Sequence, residues 1–96
     1  MKYFFSEIYG ITLTFGDIET TCEGKEFIRI CFEKVYSNSE GCDFLESTLP
    51  ALHPEYSSGF PEELQGRLLD YARTNAFLIW ELAREAAITV TRANYG

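Results

Sequence analysis

Between Gly10 and Gly16 the chain alternates, with Ile11, Leu13 and Phe15 apolar and Thr12 and Thr14 polar. A period of two sends successive side chains to opposite faces, so the segment predicts a half-buried β-strand. "YFFSEI" ahead of it is strand-like too, and Gly10 permits either a bulge in one long strand or a turn between two short ones. The clearest strand is Glu26–Tyr36, where Ile28, Ile30, Phe32 and Tyr36 share one face and Arg29, Cys31 and Glu33 the other. "GDIETTCEGKE" and "SNSEG" supply turn chemistry on either side of it. In "CDFLESTL", residues 42–49, adjacent Phe44 and Leu45 spoil the alternation, which leaves a weaker strand or a short helical turn.

The pattern then changes. Residues 50–60, rich in proline, serine and glycine, predict an irregular crossing. Pro61 suits the first helical position, and Glu62 and Glu63 suit the positive end of a helix dipole. From 61 to 87 one long helix is predicted, weakened at Gly66 by about 1 kcal/mol relative to alanine. At about 100° per residue, Leu64, Leu68, Tyr71, Leu78, Ile79, Leu82 and Ala86 fall in one sector, which is expected to lie on the sheet. Asn75 projects to the centre of that sector. A buried amide left unpaired costs roughly 1–3 kcal/mol, so partners are expected for it. Arg73, Phe77, Trp80 and Arg84 form a second stripe on the opposite side. After the helix, the β-branched residues of 88–92 read as a possible C-terminal strand.

Together these elements predict a single α+β domain over 1–96: a β-rich half, 1–49, whose antiparallel sheet of three to five strands packs on one long C-terminal helix. A chain of 96 residues supports one modest core, and 46% hydrophobic content suits a folded globule.

Charge sharpens the functional picture. The net charge of −7 is uneven: residues 1–63 carry twelve acids against four bases, and residues 64–96 three acids against four arginines. Phosphate backbones are repelled by most of such a surface, so no nucleic-acid partner is expected. No apolar run approaches the roughly 20 residues of a membrane span, and Glu7 interrupts any signal-peptide core, so neither a membrane nor a secretory role is expected. Three cysteines without dense spacing argue for reduced thiols and a cytoplasmic setting.

Chemical motifs are sparse. Cys22, Cys31, Cys42 and His53 nominally make a zinc set, but structural zinc sites draw thiolates in close pairs, and these lie about ten residues apart. A Cys42–His53 nucleophilic pair lacks an orienting third group, and Cys31 reads better as a small buried thiol. The carboxylates Glu33, Glu40, Asp43, Glu46, Glu55, Glu62 and Glu63 are too numerous for any pair to stand out. No phosphate loop or nucleophile elbow is present, so no catalytic residue, metal or cofactor is assigned.

Arginine and tryptophan are the types most enriched at binding hot spots, which makes Arg73, Phe77, Trp80 and Arg84 the expected partner-binding set, unless a neighbouring segment covers them. A second copy of the chain is the simplest partner to expect. The alternative is a small-molecule pocket between sheet and helix near Asn75, Tyr71 and Tyr36. The stretch "GFPEELQGRLLDYARTNAFLIWELARE" also resembles the helical part of small bacterial proteins of prophages, plasmids and integron gene cassettes. That resemblance covers about a quarter of the chain, carries no motif of known chemistry, and implies an accessory role. The expected function is therefore a non-enzymatic, acidic interaction or regulatory protein that associates with itself.

Overall fold

A computed structural model describes the backbone of residues 1–36 and 41–95, and their side chains as far as Ile88. The chain runs through β1 (Lys2–Ile8), β2 (Ile11–Thr20), β3 (Glu26–Val35), β4 (Cys42–Leu49), β5 (Tyr56–Ser58), α1 (Glu62–Thr74) and α2 (Ala76–Tyr95). The strands form one antiparallel sheet in sequence order, each paired with the next. The α+β class and the antiparallel sheet are as the patterning predicts, at the upper limit of the strand count.

Register decides the faces. Leu13 lies opposite Phe32, Phe15 opposite Ile30, Phe32 opposite Leu45, and Ile28 opposite Leu49. All seven are buried and form one apolar layer, to which the helices add Leu69, Ala72, Ile79 and Ala83. Thr12, Thr14, Arg29, Cys31, Glu33, Glu46 and Thr48 take the intervening positions and face away from the helices.

The helical half departs from expectation. The rod is interrupted at Asn75, whose φ of −102° and ψ of 8° leave the helical region. Asparagine competes for the backbone, and here its Nδ2 donates to the Tyr71 carbonyl at 2.9 Å, beside its own N–H at 3.1 Å. The Ile79 N–H donates to the Asn75 carbonyl, so the hydrogen-bond frame resumes at once. Two helices therefore stand where one was predicted.

The buried stripe is also rotated. Leu69, Ala72, Ile79 and Ala83 point at the sheet; Leu64, Leu68, Tyr71 and Leu82 are half-buried on one flank, and Leu78 is exposed. At about 100° per residue, the true centre lies roughly a quarter of a turn from the predicted one. The reason is steric. Alanines let the helices approach the sheet closely, and larger side chains fill the two flanks. Asn75 sits on one flank, half-buried, and Trp80 on the other, packed against the core.

Smaller points complete the fold. Of the two readings open for Gly10 the turn holds, and Tyr9 (φ 53°) and Gly10 (φ 78°) both adopt left-handed backbone between β1 and β2. Bulges fall instead at Phe5 and around Gly16–Asp17. "GDIET" continues β2, so the turn is confined to Thr21–Lys25. The 50–60 crossing contains β5, seats Leu52 and Phe60 in the core, and is tied to β4 by Ser47, whose Oγ donates to the His53 carbonyl at 2.8 Å. Residues 88–92 are helical, not a strand, within α2. The turn read at "SNSEG" and the carboxylate of Glu40 lie outside the described residues, Gly41 apart.

Candidate functional site

Four residues were expected to bind a partner, and α2 brings three of them together. Phe77, Trp80 and Arg84 line a groove of about 370 Å³, closed on the sheet side by Glu26 and Pro50. Trp80 forms its floor because it lies between outer face and core, with the Arg84 guanidinium 5.5 Å above its ring. Arg84 also reaches Glu81 at 3.4 Å. Phe77 stands beside the groove 78% exposed, an unusual setting for a ring of that size. Arg73 takes no part, since it belongs to α1 and is paired with Asp70. The rear stripe is therefore neither wholly free nor wholly covered.

Sequence reasoning missed the residue that completes it. Phe77, Glu81, Arg84 and Ile88 follow i, i+4, i+7, i+11 spacing on α2, and Ile88 is 53% exposed. Reading residues 88–92 as a strand removed Ile88 from the helical period. A longer helix would have revealed it.

The second predicted trio is not assembled. Asn75 is satisfied by the Tyr71 carbonyl and acts as a helix joint. Tyr36 donates to Asp43 at 2.5 Å, from the end of β3, which raises the pKa of its phenol. Tyr71 does line a cavity, but with other neighbours: Ser6, Ile8, Tyr9, Ile11, Leu64 and Leu68 are among the walls of a slot of about 230 Å³ between the β1–β2 turn and α1.

On the uncovered face of the sheet a third depression, about 560 Å³, contains Lys2, Thr14, Arg29, Cys31 and Glu46. Its charges are largely matched. Lys2 Nζ lies 2.8 Å from Glu33, and Arg29 Nε 3.0 Å from Glu19. The Cys31 thiol donates to Glu33 at 3.3 Å, and burial, then that bond, push its pKa up to about 12. A thiol so protonated is no nucleophile at neutral pH. Glu33 itself is held below the usual carboxylate range, first by the Lys2 bond and then by the thiol.

His53 is exposed and offers its carbonyl, not its ring, to Ser47. Among the described residues, Cys22, Cys31 and Cys42 are free thiols, and no three His, Cys, Asp or Glu side chains converge as a metal site would require. No helix among them is long and apolar enough to cross a membrane. Comparison with family models, with curated proteins and with solved structures finds no significant match to this chain.

Proposed function

We propose that the chain is a non-enzymatic interaction protein that pairs with a second copy of itself through the outer face of α2. One observation carries the reading: Phe77 stands 78% exposed on the lip of a groove floored by Trp80. An aromatic knob beside an aromatic-floored hollow is self-complementary, as a twofold contact requires. Across such an axis each Phe77 enters the other copy's groove, and Ile88 extends the apolar strip.

Charge supports the same face. Two chains of −7 repel one another over most of their surfaces, whereas residues 64–96 are slightly positive. Glu81 and Arg84 sit on the outer strip and are able to exchange partners across an antiparallel contact. Self-association through α2 leaves the acidic sheet face exposed, where it suits a basic partner of a regulatory or accessory assembly. Free thiols and the resemblance to mobile-element proteins fit a cytoplasmic setting.

Sedimentation equilibrium over a concentration series tests the reading. Wild type is expected to show a concentration-dependent dimer, and Phe77→Asp a monomer of unchanged far-UV circular dichroism. Phe77 is remote from the core, so this substitution leaves the fold intact. A wild-type chain that stays monomeric to millimolar concentration overturns the proposal.

A further inference from the structure

The slot beside α1 has a composition unlike the other two depressions. Apart from Arg67 at the rim, its walls are largely apolar, and Ser6 Oγ and Tyr71 Oη meet there at 2.8 Å. The bulge in β1 creates that point. Phe4 faces outward opposite Thr14, the extra residue Phe5 turns toward the helix, and Ser6 follows it opposite Leu13. Phe5 meets the Tyr71 ring edge-on at 6.4 Å and fixes it in place. One hydrogen bond between two hydroxyls uses one of two protons, so a donor and several lone pairs remain for a guest.

A second feature stands at the rim. Tyr9 is 92% exposed, lines the slot, and holds φ at 53°, a conformation that non-glycine residues adopt infrequently. Neither the core nor the α2 groove uses this ring. A two-residue hairpin turn of this kind requires positive φ at both of its residues, so the β1–β2 turn sets the place of Tyr9. The tight turn therefore places an exposed aromatic residue at the mouth of an apolar hole.

We propose that this slot binds a small, uncharged aromatic molecule bearing one hydroxyl, a one- or two-ring phenol. Size sets the upper limit. A volume of about 230 Å³ exceeds the ~150 Å³ cavity that accepts benzene, yet falls below the ~300–1,000 Å³ of drug-sized sites. Charge sets the type. Arg67 at the rim is already paired with Glu63 at 3.0 Å, and a chain of −7 repels anions, so a carboxylate is disfavoured. The ring lies on the apolar walls beneath Tyr9, and the hydroxyl joins the Ser6–Tyr71 pair. The site is separate from the α2 groove, so it stands or falls independently of self-association.

Titration with 4-ethylphenol, ethylbenzene and 4-ethylbenzoate, followed by amide chemical shifts, tests the proposal. Saturable shifts are expected at residues 6–13 and 64–71 with 4-ethylphenol. Ser6→Ala is expected to weaken that phenol roughly three- to tenfold, the effect of one hydrogen bond, and to leave ethylbenzene unaffected. Leu68→Trp fills the slot and should abolish binding; Leu64→Phe serves the same purpose if the tryptophan variant fails to fold. The absence of saturable binding overturns the proposal, as does binding that survives the filled slot. Equal or tighter binding of 4-ethylbenzoate overturns the uncharged class.

Discussion

Alternate residues of the same strands build the two faces of this sheet, and the faces do different work. On the covered side, Leu13, Phe15, Ile28, Ile30, Phe32, Leu45 and Leu49 are buried under two helices. On the open side, the Thr14 hydroxyl donates to the Cys31 carbonyl, Arg29 pairs with Glu19, and Lys2 pairs with Glu33, each across strands. A single-domain chain of this length builds one core. Apolar burial contributes roughly 25 cal/mol per Å², whereas exposed ion pairs contribute at most about 1 kcal/mol. Stability therefore belongs to one face. The other escapes the packing constraint of the core, and neither the α2 groove nor the slot beside α1 lies on it.

Phe32→Ala breaks the comparison most sharply. Phe32 is 1% exposed, sits in the middle of the covered layer between Leu13 and Leu45, and leaves a large void when truncated. A loss of about 3–5 kcal/mol is expected in urea unfolding. Thr14→Ala on the open face should move the same midpoint by no more than about 0.5 kcal/mol. Comparable losses at both positions would show that the open face is structurally covered in solution.

Ser47→Ala probes the place where the covered face is polar. Ser47 is 2% exposed and lies on β4 between Leu45 and Leu49, yet its hydroxyl leaves the apolar layer to bind the His53 carbonyl. Removing it deprives that carbonyl of its donor, with an expected loss of about 1 kcal/mol in the same assay. A gain in stability would mean that water or another donor replaces the hydroxyl without penalty, and that the 50–60 crossing does not depend on this tie.

Much of the sheet was legible because period two is unambiguous where threonine alternates with leucine and phenylalanine, as in Ile11–Phe15. The helical half was harder for two reasons. Weighting large side chains placed the buried centre on Leu64, Leu68 and Leu82, whereas close packing on a sheet rewards Ala72 and Ala83. Asn75 then looked like a buried polar residue when it is a joint, since periodicity cannot distinguish an amide that bonds outward from one that bonds back to its own helix. The α2 groove was partly legible, through Phe77, Trp80 and Arg84. Its closing residues, Glu26 and Pro50, come from distant strand ends, and no local pattern announces them. The slot was less visible still. Tyr71 was singled out, but its partner Ser6 arrives through a bulge that only the sheet register reveals.

Glu33→Gln offers the finest test of the contrast, because the open face should reveal itself through pH. The Glu33 carboxyl is held below its ordinary pKa, chiefly by Lys2 and secondly by the Cys31 thiol. A lowered folded value stabilises above the unfolded pKa of about 4.3, and the gain disappears as pH falls through the folded value. Lys2 is shifted upward, chiefly by the same bond, so its share is present below its ordinary pKa and is lost as pH rises through the raised value. Urea midpoints from about pH 3 to pH 7 should therefore climb less steeply in Glu33→Gln than in wild type, by under about 1 kcal/mol for so exposed a pair. Part of the acid limb should persist, because Asp17 is also shifted down, first by the N-terminal ammonium and then by the Tyr3 hydroxyl. An unchanged limb would assign the acid dependence to other carboxylates, Asp17 among them, and leave the Lys2–Glu33 pair with no measurable share in folding.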